Sequence, residues 1–181
     1  MSFILFVFGL IIGLLIALSA EQFDHITTTD QFCTSCHAMK TYIGESETYQ
    51  SSTHRTHTSG VQPGCAECHI PKGLVISTYT HVVDGFSDLW GQLNYDYEDP
   101  GVWEKERSRL AYAVRDTMRK NDSVTCRNCH IEALIKPKRK RGQKLHEMAN
   151  ENQMTCIDCH YNLVHKEVKP RDTFLNSAGE K

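Results

Sequence analysis

The eight cysteines of this 181-residue chain constrain its fold more than any other feature, because all of them follow one repeated pattern. They form four copies of Cys-x-x-Cys-His: Cys33-Cys36-His37, Cys65-Cys68-His69, Cys126-Cys129-His130 and Cys156-Cys159-His160. The two-residue gap matches about one helical turn, so both thiols and the imidazole face one side. This is the attachment signature of covalent c-type haem, in which the thiols bond to the vinyl groups and the histidine reaches the iron. The sequence therefore predicts four haems.

Other uses of paired cysteines fit less well. A zinc ribbon needs no histidine after every second cysteine, and a redox Cys-x-x-Cys usually occurs once, near a βαβ pattern that is absent here. Haem also explains the composition, since 40 % of the residues are hydrophobic but 16 of these lie among the first 20. The remaining residues include too few apolar side chains to form an ordinary hydrophobic core. We therefore expect the haem macrocycles to form much of the core. A net charge of −2 and a pI of about 6.5 give no drive towards nucleic acid.

The N-terminus contains an uncharged apolar run from Phe3 to Ala20. Eighteen helical residues span about 27 Å, close to the ~30 Å hydrocarbon core of a bilayer. A cleaved signal peptide ending at Leu18-Ser19-Ala20 is the alternative, but the run is longer than a usual signal core, which favours a retained anchor. Because haem is attached outside the bacterial inner membrane, we expect a single-pass inner-membrane protein with its globular part in the periplasm.

The motif spacing predicts the internal organisation. The first cysteines of successive motifs are 32, 61 and 30 residues apart, which suggests two di-haem halves. The predicted fold is mostly α: one transmembrane helix and a small haem-packed domain. We divide the chain into an anchor (1–22), a first di-haem half with an interfacial helix (23–98), a linker helix with the second half (99–168) and a polar tail (169–181).

Low-spin haem needs a second axial ligand, usually His or Met. Three histidines outside the motifs have suitable positions: His54 lies eleven residues before Cys65, His146 ten before Cys156, and His165 five after His160. His25 and His57 are less suitable. Met39 follows His37 by two residues, and its thioether could reach an iron, although an isolated methionine is more often core filler.

The ordered set of motifs resembles a known family. The apolar anchor, CTSCHAM, H-x10-CAECHIP, NDSVTCRNCH and H-x9-CIDCHYNLVH together are similar to the NapC/NirT family of membrane-anchored tetrahaem quinol dehydrogenases, over nearly the whole chain to about Val168. The chain also resembles the related nitrite-reductase donors and the quinone-linked tetrahaem cytochrome of ammonia oxidisers. The resemblance implies electron transfer from membrane quinol, menaquinol or ubiquinol, through four haems to a periplasmic redox protein or reductase.

The resemblance also implies axial ligands. His54, His146 and His165 become distal ligands, and Met39 becomes the ligand of the first haem, either together with His37 or in its place. The chain departs from the family after the second motif, where many members have CxxCHxPH and this sequence has His69-Ile70-Pro71-Lys72. Ligation by Lys72, by a partner's residue or by another residue stays open, as does the assignment of each distal histidine to a haem.

Residues 72 to 93 are predicted to form an amphipathic helix at the membrane surface. Apolar residues recur every three or four positions, and Ser77, His81, Asp84 and Asp88 form a polar stripe. An ordinary packed helix with a solvated side is the alternative. Quinol oxidation releases two protons that haem cannot take, so a carboxylate or imidazole must accept them. Family members have an acidic residue before Leu-Tyr-Gly, which Asp88-Leu89-Trp90-Gly91 matches, so the resemblance implies that Asp88 is the base.

The same resemblance assigns His81 as partner of Asp88, near a position where relatives often have lysine. Asp84 is the second choice, because Asp84-Gly85-Phe86 resembles the D-G-W string of the nitrite-reductase donors.

Asp99-Pro100 is typical of a helix start and predicts a scaffold helix between the halves. The basic segment 136–144 reads as a solvated loop, or as a site for an acidic partner, anionic lipid or haem propionates. The tail after Lys166 is expected to be mobile or to dock a partner.

The function predicted from the sequence is therefore a quinol dehydrogenase whose terminal acceptor is unspecified. Three alternatives remain: reverse flow, in which a periplasmic oxidation such as that of hydroxylamine reduces quinone; a passive electron-transfer subunit of a larger complex; and terminal reduction of a small substrate at an open haem. The sequence does not indicate whether the chain forms a homo-oligomer.

Overall fold

The computed structural model describes residues 2–178, which are mostly helical and contain no strand. The prediction of a mostly α fold is confirmed. Four helices are longer than ten residues: α1 (Ser2–Thr27), α2 (Leu74–Asn94), α3 (Pro100–Lys120) and α4 (Lys140–Glu151). Short α-helical turns cover Asp30–Cys33, His37–Met39, Glu47–Gln50, Thr53–Thr56, Cys65–His69, Val124–Arg127, Cys156–Cys159 and Asp172–Asn176, with a π-helical turn at Lys40–Gly44 and a 3-10 turn at Glu132–Leu134.

Helix α1 is long and apolar enough to cross a membrane. The most apolar 18-residue window of its stretch Phe3–Thr27 has a mean hydropathy of 2.9, and none of that window is buried inside the protein. The helix continues beyond the predicted anchor to Thr27, where the Thr28 hydroxyl donates to the Asp24 carbonyl at 2.7 Å. The last turns of α1 therefore lie beyond the apolar run, and their side chains are mostly polar.

Helix α2 confirms the helix expected over residues 72–93 and packs its first turns against the end of α1. Ser77 donates a short hydrogen bond to the Asp24 carboxylate, and the Phe23 and His81 rings meet edge to face with centroids 6.1 Å apart. The apolar stripe of α2 stays exposed among the described residues, with Phe86 70 % and Leu93 74 % accessible. This exposed face is suited to lipid or a ligand.

Helix α3 connects the two parts of the globular region. Asp99 caps its start by accepting from the Gly101 amide at 2.6 Å, as Asp99-Pro100 predicts. Near this end the buried Trp103 stacks on Tyr42 at 5.0 Å and meets Tyr97 edge to face at 6.0 Å. The other end of α3 contacts the turn that carries the fourth motif. One rigid helix therefore ties residues before the second motif to residues after the third.

Two sequence expectations are corrected by the structure. The tail, as far as residue 178, docks on its own chain: Phe174 is 3 % exposed and its carbonyl accepts from Arg119 at 2.7 Å. This part of the tail is therefore packed against its own chain, which contradicts the expectation of a mobile tail, whereas docking of a partner stays a prediction; residues 179–181 lie outside the described range. The basic segment is also not simply a loop, since Lys140 begins α4.

Candidate functional site: a row of four Cys-x-x-Cys-His motifs

The four motifs form a continuous row that starts at the end of α1. The turn that ends at Cys33 contacts the turn of the second motif, and each of the Cys33 and Cys65 thiols is the largest cause of the shift in the other's pKa. The Cys126 and Cys156 thiols affect each other's pKa in the same way. The turn of the second motif contacts the turn of the third, which closes the row in chain order. All eight cysteines are free of disulfides. Every thiol is therefore available for attachment to a prosthetic group.

Asp30 joins the first motif to the second. Its Oδ1 accepts from the Cys65 amide at 2.7 Å, and its Oδ2 lies 3.4 Å from both the Tyr49 hydroxyl and Arg55 Nη1. The guanidinium of Arg55 also stands over the Tyr49 ring, 5.0 Å from its centroid. The sequence analysis missed Asp30; its position three residues before the first cysteine was the only signal.

We expect Gly64→Ala to separate these two motifs. A Cβ at Gly64 would lie 2.2 Å from Asp30 Oδ1, so the carboxylate would have to leave the Cys65 amide. An amide left unpaired costs about 1–3 kcal/mol, which should appear as a lower urea midpoint of the detergent-solubilised holoprotein. Gly85→Ala is the matched control: nothing lies within 4 Å of its new Cβ, and it should stabilise α2 by up to about 1 kcal/mol. Equal urea midpoints for the two variants would contradict this account.

The third and fourth motifs are joined by buried polar groups. Ser123 is fully buried in a left-handed conformation (φ 51°), and its hydroxyl accepts from the Ile157 amide at 3.2 Å. Asp158, between the cysteines of the fourth motif, accepts from the Thr155 amide at 2.7 Å and from Arg119 Nε at 2.5 Å. These bonds fix the fourth motif against the C-terminal end of α3.

Three motif histidines each face one histidine from outside the motifs. In all three pairs the ring centroids are 6.1 Å apart: His130 with His54, His69 with His165, and His160 with His146. A metal–imidazole nitrogen bond is about 2 Å long, so two imidazoles on opposite sides of one metal have centroids roughly 6 Å apart. The donor set and its spacing therefore fit bis-histidine ligation of three haem irons.

Burial lowers the pKa of four of these imidazoles and so favours their neutral form, which is the form that ligates metal. Burial, followed by the charge of His69, lowers the pKa of His165 to about 4. Burial is also the main cause that lowers the pKa values of His69, His54 and His160. The Nδ1 atom of His165 is buried without a hydrogen-bond partner. The Tyr49 ring stacks on this imidazole with the ring centroids 6.2 Å apart.

The first motif differs from the other three. His37 makes no aromatic ring contact among residues 2–178, whereas each other motif histidine does. His37 and Met39 share one helical turn directly before the π-helical turn Lys40–Gly44, an element frequent at functional sites. Lys72, the alternative ligand considered for the second motif, is exposed, and it is His165 that faces His69.

The predicted proton-accepting residues lie on successive turns of α2. The Thr27 carbonyl lies 3.2 Å from His81 Nε2 and 3.9 Å from Cys33 Sγ, which brings His81 to the first motif. Asp84 and Asp88 lie one and two turns further along and are exposed. Although the Asp88 side chain is exposed at the surface, desolvation by neighbouring residues, followed by the like charge of Asp84, raises its pKa. The structure does not join His81 directly to Asp88.

Sequence reasoning missed a further polar residue here. Asp24 accepts from Ser77 Oγ, whose side chain lies 3.4 Å from His81 Nδ1. The signal was available: Asp24 stands at the polar end of the apolar run, and Ser77 lies one turn before His81. Asp24, Ser77 and His81 therefore form a hydrogen-bonded group where α1 leaves its apolar stretch.

The motif row, the imidazole pairs and the apolar helix define a multihaem c-type cytochrome attached to a membrane helix. The model of the NapC/NirT cytochrome c family, N-terminal region, matches residues 1–170. The chain belongs to the NapC/NirT cytochrome c family, whose members are membrane-anchored tetrahaem electron-transfer proteins. Covalent haem c follows from this membership.

Individual relatives agree with this assignment. A tetraheme cytochrome c-type protein of Nitrosomonas europaea is 36 % identical over 173 residues, which cover 94 % of this chain and 71 % of the relative. The cytochrome c-type protein NapC of Escherichia coli is 32 % identical over 78 % of this chain and 73 % of its own length. TorY of Haemophilus influenzae is 36 % identical over 78 % of this chain, which spans only 38 % of that protein. No solved structure matches the chain at a significant level.

Proposed function

We propose that this cytochrome is a quinol dehydrogenase of the bacterial inner membrane, with its globular part in the periplasm. It oxidises membrane quinol at the first motif and passes the electrons along the row to a periplasmic redox protein. The observation that carries the proposal is the Thr27 carbonyl, which joins the end of the apolar helix, the first motif at Cys33 and His81 of α2. Quinol arriving from the bilayer meets the motif row at this point.

The electron route rests on the axial ligand pairs. We assign His69 and His165 to the second haem, His130 and His54 to the third, and His160 and His146 to the fourth, because each pair joins a motif histidine to a histidine outside the motifs with ring centroids 6.1 Å apart. Met39 or His37 serves the first haem, which thus has an open side. When bound, the four haems each take up and release one electron. His54 lies in the first half and pairs with a motif of the second, so the route crosses between the halves.

The proton route rests on α2. A quinol becomes a quinone by losing two electrons, which reduce two haems, and two protons, which need a base. Asp88 accepts one proton, and its raised pKa brings the carboxyl closer to neutral pH, where a general base works best. The second proton leaves through His81, whose contacts with Ser77 and Asp24 lead along the end of α1.

Asp88→Asn tests this proposal. The variant lacks the base, so the rate of haem reduction by menadiol should fall by at least about 10²-fold. Reduction by dithionite, which needs no base, should be unchanged, as measured by stopped-flow absorbance of the full-length holoprotein in detergent. Ser87→Ala, an exposed neighbour on α2, is the control and should keep the wild-type rate. A wild-type rate in Asp88→Asn would identify a passive electron carrier instead.

The pH dependence provides a second readout of the same site. The base works as the carboxylate, so the menadiol rate should fall as the pH falls through the raised pKa of Asp88. Asp84→Asn removes the like charge that contributes to this shift, and the midpoint of the acid limb should move to lower pH. An unmoved midpoint would show that another group accepts the proton.

A further inference from the structure

Six exposed cations are crowded into nine residues around the start of α4. They are Lys136, Lys138, Arg139, Lys140, Arg141 and Lys144. None of them forms an ion pair within the part of the chain that the structure describes, although most arginines of α3 do. Because the whole chain carries a formal charge of −2, the rest of it is net acidic. Segment 136–144, the basic segment, is thus locally positive, whereas the other residues of the chain together carry a net negative charge.

The local fold holds the basic segment together. Gln143 Nε2 donates to the Pro137 carbonyl at 2.9 Å, and a Cβ at Gly142 would lie 2.9 Å from the Pro137 ring. The irregular segment before α4 therefore folds back onto the first turn of that helix. Like charges held this close repel each other within a Debye length of about 8 Å, and a negatively charged partner would relieve that repulsion.

The basic segment lies beside the last motif of the row. Two residues after Lys144, the same helix carries His146, whose ring faces His160 at 6.1 Å. The contacts run from α1 to the first motif and on, in order, to the fourth. The basic segment therefore lies at the end of the row opposite to the membrane helix. This placement favours a soluble protein over lipid as the occupant.

We propose that the basic segment is the docking surface for an acidic face of the periplasmic electron acceptor. This inference rests on the proposed function, since it concerns where the electrons leave. Docking there brings an acceptor to the helix that carries His146, and one electron passes from a ferrous haem, which becomes ferric, to the acceptor. Complementary charge raises association rates by about 10–10³-fold and makes them fall with salt, which suits a complex that must form and dissociate at each turnover.

Charge reversal tests the docking surface. In the Lys138→Glu/Arg139→Glu/Lys140→Glu/Arg141→Glu variant, the second-order rate of electron transfer from the reduced holoprotein to plastocyanin, an acidic one-electron acceptor, should fall at least 10-fold at low ionic strength. The salt dependence of the wild-type rate should disappear as well. The four glutamine substitutions at the same positions form a milder variant that should give an intermediate rate. The matched control is Lys105→Glu/Lys120→Glu, two exposed cations on α3, which should change the rate less than threefold.

Two further measurements separate the possible outcomes. Haem reduction by menadiol should be unchanged in the charge-reversed and glutamine variants, so loss of docking is distinguishable from failure of the quinol site. Acetylation of the basic segment's lysines in nanodiscs should be reduced by plastocyanin and not by phosphatidylglycerol. Protection by phosphatidylglycerol alone would assign the segment to lipid and overturn the proposal. Equal slowing in the α3 control, or no slowing in the glutamine variant, would overturn it too.

Discussion

Replacing His165 with alanine is expected to convert one of the four haems from low spin to high spin. His165 faces His69 at 6.1 Å, is mostly enclosed, and has a pKa lowered to about 4, so it is a neutral ligand at any physiological pH. Loss of one strong axial ligand leaves a five-coordinate or weakly ligated iron. Because three haems have two histidine ligands and the first has an open side, the low-spin electron paramagnetic resonance signal of the oxidised holoprotein should fall by about one third, with a matching rise in the high-spin signal.

Two control variants make this expectation specific. His57→Ala removes an exposed histidine whose Nδ1 only accepts from the Ser59 amide, and the spectrum should stay that of the wild type. Lys72→Ala removes the alternative ligand suggested by the sequence departure after the second motif, and it too should leave all low-spin signals intact. A high-spin haem in Lys72→Ala, with an unchanged spectrum in His165→Ala, would reverse the assignment.

The haem attachment sites could be predicted from the sequence because their signal is local. A Cys-x-x-Cys-His string fixes three residues within a span of five, and four copies leave no cysteine over. The two amphipathic helices were equally accessible: α2 from its apolar periodicity and α3 from its Asp-Pro start. These elements depend on residues that are close in the chain, and the structure confirms both helices.

The pairing of the distal histidines could not be predicted in the same way. His54 lies eleven residues before Cys65 in the sequence, yet its ring faces His130 of the third motif. His165 lies five residues after His160, yet it faces His69 of the second motif. Only His146 faces the motif that follows it in sequence. Ligands contributed across the fold depend on long-range packing, which spacing along one chain does not encode.

The polar groups that fix the motif row escaped sequence analysis for a related reason. Asp30, Arg119 and Asp158 are ordinary charged residues in the sequence, and nothing local separates them from solvated ones. Their roles come from burial between turns that are distant in the chain: Asp30 bonds Cys65 from 35 residues away, and Arg119 bonds Asp158 from 39. The tail was misjudged likewise, because a single phenylalanine, Phe174, anchors it.

The largest stability effect is expected from Arg119→Met. The Asp158 side chain is 1 % exposed and its Oδ1 is held by Arg119 Nε at 2.5 Å. Arg119 also donates to the Phe174 carbonyl and the Ser177 hydroxyl, both at 2.7 Å, and stacks over the Phe174 ring at 3.7 Å. Removing one partner of a buried pair leaves an uncompensated charge and costs about 3–5 kcal/mol. The free energy of unfolding of the detergent-solubilised holoprotein in urea, followed by far-UV circular dichroism, measures it.

Surface charge provides the matched comparison. Lys40 and Glu45 lie 3.7 Å apart with side chains 61 % and 62 % exposed, so Lys40→Ala should cost less than about 1 kcal/mol. Arg119→Lys keeps the charge but cannot reach three acceptors with one planar group, and its cost should fall between the two. If Arg119→Met were no more costly than Lys40→Ala, Arg119 would not hold the fourth motif and the tail against α3. The tail would then depend on Phe174 alone, and Phe174→Ala would become the more destabilising change.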